Sequence, residues 1–310
     1  MINKPKKLEL GARIALIAPS AFVEEEKLKL SLASMDFLGL EPVLYPSCTM
    51  RHGYFAGIDY QRAKDINDAF TNPHVDGVFC LRGGYGATRV LPLLDYEVIK
   101  NNPKLFLGYS DITAFHLAFN KICKLATLHS PMPTRGWDTL DELSLQSLES
   151  NLFSSVPVGK VSIPPELSLK PLISGTAEGP MTGGNLSLLV STLGSPYEVD
   201  TRGKIIFIED VDDEPYKIDR GLTALSLAGK FADCAGIVIG TFAGCEPKDP
   251  SISLSLSQIF DEIITPYNKP TINWFPAGHI YPHISIPMGI RARLTVSEES
   301  ELEFLESFAL

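Results

Sequence analysis

The chain is predicted to be an α/β protein. A mostly parallel sheet with helices on both faces should form the N-terminal half, followed by a C-terminal α/β domain of mixed strands. Three observations predict this. Short apolar runs that end in glycine, proline or serine alternate with stretches carrying apolar residues at helical spacing. The length, 310 residues, suggests about two domains at ~150 residues each. From about Trp137 to Gly179 the alternation lapses into a segment containing Pro157, Pro164, Pro165 and Pro171, the composition of a linker or crossover. The expected organisation is therefore a first domain over 1–155, a linker over 156–180 and a second domain over 181–310.

The elements follow in order. Arg13–Ala18 reads as a buried strand ending in Pro19-Ser20, and Glu24–Leu38 as a helix. Pro42–Tyr45 is the second strand, Tyr60–Phe70 a helix with its charges on one face, and Val75–Leu81 the third strand. A glycine-rich turn, Arg82-Gly83-Gly84-Tyr85-Gly86, then leads into a short helix through Leu94. Lys104–Gly108 is a short strand, 111–119 has helical spacing, and Ala126-Thr127-Leu128 is a further strand. After a helix over Asp141–Leu152 and the linker, the second half starts near Gly183-Gly184-Asn185. It continues with a helix over Leu186–Leu193 and strands over Lys204–Ile208 and Gly236–Gly240. Strand–helix–strand rhythm of this kind means a parallel sheet covered on both faces. Ligands in such sheets bind at the carboxyl ends of the strands, where Pro19-Ser20, the 82–86 turn and Ser110 all fall.

Composition excludes several function classes. The hydrophobic fraction of 45% and charged fraction of 21% are those of an ordinary globular protein. A net charge of −10 argues against nucleic acid as a partner, since that requires a basic surface. Five scattered cysteines, odd in number and without C-x-x-C spacing, read as small buried hydrophobes in a reducing compartment. No H-E-x-x-H occurs, and Pro282 separates His279 from His283, so no metal site and no cofactor are expected. No apolar run reaches the ~20 residues of a membrane span and no secretory leader is apparent, so the expectation is a cytoplasmic protein with no membrane partner.

Ser110 is the most informative residue. It lies between the strand Lys104–Gly108 and the helical stretch 111–119, where the chain must turn sharply and Gly108 relieves crowding. A serine at such a turn exposes its hydroxyl at the top of a sheet, and the next backbone N–H groups can serve a developing oxyanion. A helix N-cap would use the same residue type, and Ile112 stands where the second glycine of G-x-S-x-G would be. A serine nucleophile needs a base, and the base an orienting acid. Glu209, the first acidic residue after the strand Lys204–Ile208, is the candidate acid; the rest of the acidic run to Glu214 reads as a solvated loop or as calcium ligands. His279, preceded by Gly278, is the candidate base. His116, six residues after Ser110, points to another helix face, and His129 is a supporting or substrate-contacting candidate. The 82–86 turn lets backbone N–H groups approach a ligand closely, or is simply a tight turn; no phosphate-loop pattern is present.

In this order, these pieces resemble the LD-carboxypeptidase family, which comprises murein tetrapeptide carboxypeptidases and microcin C immunity hydrolases. The resemblance is carried by Arg82-Gly83-Gly84-Tyr85-Gly86 with Arg89, Gly108-Tyr109-Ser110-Asp111-Ile112-Thr113 and His129-Ser130-Pro131-Met132. It continues through Gly183-Gly184-Asn185-Leu186, Ile208-Glu209-Asp210 and Gly278-His279. It implies an amidotransferase-like first half, a homodimer, no metal, and a catalytic set of Ser110, Glu209 and His279. It also implies oxyanion donation from backbone N–H groups near Gly84 and Asp111. Ser130 departs from the glycine that many relatives carry there.

The function so implied is a serine carboxypeptidase that removes the terminal D-alanine from an L,D-linked murein tetrapeptide during cell-wall recycling, so the expected partner is a small peptide substrate. A terminal carboxylate calls for a guanidinium, whose fork matches it; Arg82, Arg89 and Arg135 are the candidates. Two alternatives stand beside this. A hydrolase of peptidyl- or aminoacyl-nucleotide antibiotics would be favoured by Trp137 or Trp274 stacking on a purine. A non-catalytic binding module on the amidotransferase-like scaffold would be favoured if Ser110 and His279 did not couple.

Overall fold

The computed structural model describes residues 2–167 and 169–310. They divide into two compact units. The first comprises residues 1–157, 284–289 and 307–310, and the second 158–283 and 290–306.

The first unit is built on a six-stranded sheet in the order Ile286–Met288, Thr127–His129, Leu105–Gly108, Gly77–Cys80, Arg13–Ile17, Glu41–Leu44. Five strands are parallel, and only Ile286–Met288 runs antiparallel, against Thr127–His129. Three of the central strands, Arg13–Ile17, Gly77–Cys80 and Leu105–Gly108, are almost wholly buried, which explains their unbroken apolar runs. Right-handed crossovers fix which face each helix covers. The connection from Arg13–Ile17 to Glu41–Leu44 runs one way along the sheet, so its helix, Glu25–Phe37, lies on one face. The return and all later connections run the other way and put Asp59–Thr71 and Thr113–Ala118 on the opposite face. Ser34 on the first helix donates to Pro133 O at 2.9 Å and accepts from Trp137 N at 2.9 Å, so the 133–139 segment covers that same face. The chain reverses direction between Arg13–Ile17 and Gly77–Cys80, which leaves a crevice at their carboxyl ends. On the other face, Phe70, Phe106, Phe115 and Phe119 form one aromatic cluster, with ring centroids 4.9–6.3 Å apart.

The second unit holds an eight-stranded mixed sheet in the order Gly159–Lys160, Glu301–Phe304, Arg291–Val296, Gly175–Asn185, Ile205–Val211, Gly236–Ala243, Thr271–Asn273, Lys170–Ile173. The run from Gly175–Asn185 to Thr271–Asn273 is parallel and the flanking strands are antiparallel.

The α/β class, the mostly parallel first sheet and the mixed second one are as the sequence predicts. Several element bounds differ. Residues 156–180, expected as linker, supply the edge strands Gly159–Lys160 and Lys170–Ile173 and the start of Gly175–Asn185. Prolines belong on such edges because no ladder bond is lost there, so Pro171 marks an edge strand rather than a break. The strand expected to stop at Ile208 runs on through Val211. Residues 284–289, read only as a continuation of the second half, return to the first sheet as an edge strand around Pro287. No helix of the described residues is long and apolar enough to cross a membrane.

Candidate active site

In the first unit, the turn at Ser110 is built on contact rather than on a second glycine. A Cβ on Gly108 would lie 2.8 Å from Ile112 Cγ2, so glycine at 108 is what allows Ile112 to fold back over the strand end. The next residues pass through Tyr109 to Ser110, whose φ is +64°. A left-handed non-glycine residue stores of order 1–3 kcal/mol of strain and persists only where its surroundings hold it. Here Gly108 O accepts from Ser130 N at 3.2 Å and from His116 Nε2 at 2.9 Å. The Ser110 side chain caps neither the 3-10 turn Ser110–Ile112 nor the helix Thr113–Ala118, so capping does not account for it.

His116 is buried and acts as a structural donor, not a base. Burial lowers its pKa from 6.5 to about 4, with the bond to Gly108 O working weakly the other way. The unfolded chain takes up this proton below about pH 6.5, the folded protein only below about 4. Stability should therefore fall as pH drops through that window, by about 3 kcal/mol when complete. Denaturant melts at stepped pH should show this loss, and His116→Gln should flatten it. An unaltered acid slope in the variant would assign the loss to other groups.

The loop that follows Gly77–Cys80 comes against the same turn. A Cβ on Gly83 would lie 2.9 Å from Ser110 Cβ and 3.0 Å from its Oγ, so this close approach requires glycine. Gly84 has φ +96° and faces Ala21. Asp111 is 1% exposed, and its carboxylate accepts from Ser20 Oγ at 2.6 Å and Ala87 N at 2.8 Å. Its carboxyl is pushed above the usual range by burial, which these bonds counter.

The three arginines separate. Arg89 Nε and Nη2 both donate to Asp59 Oδ2, at 2.9 and 2.7 Å. Arg82 donates to Phe22 O at 2.9 Å. Arg135 is exposed and donates to the hydroxyl of Tyr109, the residue before Ser110, from Nη2 at 3.1 Å and Nε at 3.3 Å. His129 is buried and packs edge-on to Tyr109 at 5.9 Å. Ser130 shares a 2.7 Å hydrogen bond with Ser285 of the returning strand segment, so the hydroxyl that departs from the family pattern is a packing link. Trp137 is fully buried and donates to Pro131 O at 3.1 Å, so it has no face to offer a purine. Trp274 is 52% exposed, and Lys170 Nζ lies 5.3 Å from its ring centroid.

In the second unit, Glu209 lies inside the strand Ile205–Val211, not beyond it. Side chains alternate along a strand, so Glu209 and Asp210 face opposite ways. Glu209 is fully buried, and its Oε2 lies 2.8 Å from His279 Nδ1. Burial raises the Glu209 carboxyl above its ordinary value, and the His279 bond opposes this most strongly. Asp210 accepts from Asn185 Nδ2 at 2.9 Å and from Ser187 N and Oγ, both at 3.0 Å, which ties it to the start of the helix Leu186–Ser191. Gly278 has φ +129°, and a Cβ there would lie 2.6 Å from Thr241 Oγ1 and 3.0 Å from Glu209 Oε2; only glycine lets the chain bring His279 onto Glu209. Farther along the acidic run, Asp213 pairs with Lys217 and Glu214 with Lys248. Among the described residues no group of three or more His, Cys, Asp or Glu could hold a metal ion. The sequence places Pro19-Ser20 at the strand ends but gives Ser20 no role of its own, and it does not single out Arg62, which looks like one charge on a helix face.

Comparison with known proteins gives a consistent result. The LD-carboxypeptidase N-terminal domain model matches residues 14–130, and the C-terminal domain model residues 178–294. A probable murein peptide carboxypeptidase of Bacillus subtilis is 40% identical over 300 residues, 96% of this chain and 93% of that protein. The crystal structure of a muramoyltetrapeptide carboxypeptidase from Oxalobacter formigenes is similar, with a TM-score of 0.85 and 29% identity, covering 96% of this chain and all of that one. A MccF-like protein from Bacillus anthracis gives a TM-score of 0.86 at 26% identity, covering 97% and 99% of the two chains.

Proposed function

The chain belongs to the LD-carboxypeptidase family, and from that membership we propose that it is a serine carboxypeptidase that removes the terminal D-alanine of an L,D-linked murein tetrapeptide. The observation that carries the chemistry is the buried Glu209 carboxylate on His279 Nδ1 at 2.8 Å. It holds the proton on Nδ1 and leaves Nε2 as the base.

In this reading Ser110 Oγ attacks the carbonyl as His279 Nε2 takes its proton. The backbone N–H groups of Gly84 and Asp111 receive the oxyanion, an effect worth ~3 kcal/mol per donor. The protonated imidazole, stabilised by Glu209, passes its proton to the departing amine of D-alanine. A water, deprotonated in turn by His279, then releases the acyl group from Ser110. Arg135, hydrogen-bonded to the hydroxyl of Tyr109, the residue before Ser110, receives the substrate's terminal carboxylate. A homodimer, on the strength of the family resemblance, and a cytoplasmic location are part of the same proposal.

The test is release of D-alanine from a tetrapeptide muropeptide. Amidating its C-terminus should raise KM at least about tenfold, the order expected for losing a charge-assisted pair. Arg135→Ala should do the same for the free acid and little to the amide. Equal cleavage of acid and amide would remove the carboxypeptidase reading. Cleavage of an aminoacyl sulfamoyl adenosine with no action on the tetrapeptide would favour the nucleotide-conjugate alternative.

A further inference from the structure

Three loops of the first unit meet at the carboxyl ends of neighbouring strands: 18–22 after Arg13–Ile17, 81–86 after Gly77–Cys80, and the Ser110 turn after Leu105–Gly108. Two buried side chains of opposite charge tie them together. Asp111 Oδ2 accepts from Ser20 Oγ on the first loop, at 2.6 Å, and from the N–H of Ala87 at the end of the second, at 2.8 Å. Arg62 has no exposed surface, and its Nη1 donates to Pro19 O on the first loop at 2.6 Å and to Gly86 O on the second at 2.9 Å. Its Nη2 is paired with Asp59, and its guanidinium lies over the Phe55 ring, 4.7 Å from the centroid. Burying ionised groups is costly unless their hydrogen bonds are met. The Asp111 bonds and both Arg62 Nη1 bonds go to the loops that flank the serine, while Arg62 Nη2 is met by Asp59 on its own helix and Nε has no partner.

The effect on the loop is directional. Ala21 N donates to Gly83 O at 3.2 Å. In a planar trans peptide the N–H points opposite to the C=O, so the Gly84 N–H points away from the 18–22 loop. The second proposed oxyanion donor is the backbone N–H of Asp111 itself, and its side chain anchors that residue. One carboxylate thus fixes both donors.

We propose that Asp111, backed by Arg62, is a positioning residue: its carboxylate sets the 81–86 loop against the Ser110 turn and so aims the Gly84 and Asp111 N–H groups at the carbonyl oxygen as it becomes an oxyanion. The proposal rests on Ser110 being the nucleophile. It makes the Asp111 side chain matter to the rate of acylation, not to the binding of substrate.

The experiment compares wild type with Asp111→Asn, Ser20→Ala and Arg62→Lys, reading kcat and KM for D-alanine release and the rate at which a fluorophosphonate probe labels Ser110. Asp111→Asn keeps the volume of the side chain. It should lower kcat about 10- to 100-fold, with KM within about twofold and labelling slowed in parallel. Ser20→Ala should cost less, and the Asp111→Asn/Ser20→Ala double variant should be no slower than Asp111→Asn alone, since both remove one contact. A folded Asp111→Asn with wild-type kcat, or with a raised KM alone, overturns the proposal. If Asp111→Asn does not fold, the other two variants decide: a kcat loss at constant KM in either supports it, and wild-type kcat in both overturns it. A wild type that is not labelled at Ser110 brings down the parent reading and this one with it; a labelled wild type with an unaffected Asp111→Asn brings down this one alone.

Discussion

Ser110→Ala is expected to abolish turnover while leaving the fold intact. Loss of a triad nucleophile generally costs 10⁴-fold or more in kcat, the residual rate coming from oxyanion donors and binding. The substitution is structurally mild. Ser110 already occupies the left-handed region at φ +64°, so alanine inherits a strain that the surroundings support. The side chain caps no helix, so no backbone donor loses its partner. The expected result is a melting temperature within a few degrees of wild type, substrate binding retained and D-alanine release below detection. Retention of more than about a tenth of wild-type kcat, far above the residual rate of a triad enzyme without its nucleophile, would sink the assignment of Ser110.

How much of this was legible in the sequence depends on whether the signal was local. Ser110 was found because a buried strand, a glycine and a helical stretch are adjacent in the chain, and the same holds for Gly83 and Gly84 after Gly77–Cys80. The proposed base and acid carry local signals too, since a glycine precedes His279 and an apolar strand precedes Glu209. The strand's end was misplaced because two acids look like a loop start. In the folded sheet Ile205–Val211 is a central strand paired on both sides, and each acid finds its own partner on one face, which no window of residues displays. Arg62 was missed for the same reason. Nothing near it separates it from the exposed Lys64, because the groups that bury it, Pro19 O and Gly86 O, are 43 and 24 residues away. Arg89 was placed at the active face by its closeness to the 82–86 turn, but Asp59, 30 residues earlier, engages it. The return of 284–289 to the first sheet was likewise hidden, since Pro287 masks a strand unless the strand is known to lie at an edge.

Glu209→Gln and Asp210→Asn should separate catalysis from stability at two adjacent positions. Both acids lie on one strand and both are buried, so a general argument from burial would give them the same role. Their partners differ. Glu209 Oε2 holds His279 Nδ1 at 2.8 Å. An amide there can present an N–H where the carboxylate presented an acceptor, and so favours the wrong imidazole tautomer and cannot stabilise the imidazolium. Loss of this partner in triad enzymes costs roughly 10⁴-fold in kcat, and KM should change little because no substrate contact is lost. Asp210 instead accepts from Asn185, Ser187 N, Ser187 Oγ and Val211 N, each at 2.9–3.0 Å. Its carboxylate serves the backbone at the start of the helix Leu186–Ser191, and losing such an anchor costs about 1–2 kcal/mol. Asp210→Asn should therefore lower the melting temperature while keeping kcat within about tenfold of wild type, a bound set by the modest size of that structural loss. Glu209→Gln should do the reverse. The deciding measurement is kcat for both variants, taken below their melting transitions. If Asp210→Asn is the more damaging to kcat while still folded, the acid of this active site is Asp210, and the His279–Glu209 contact is packing.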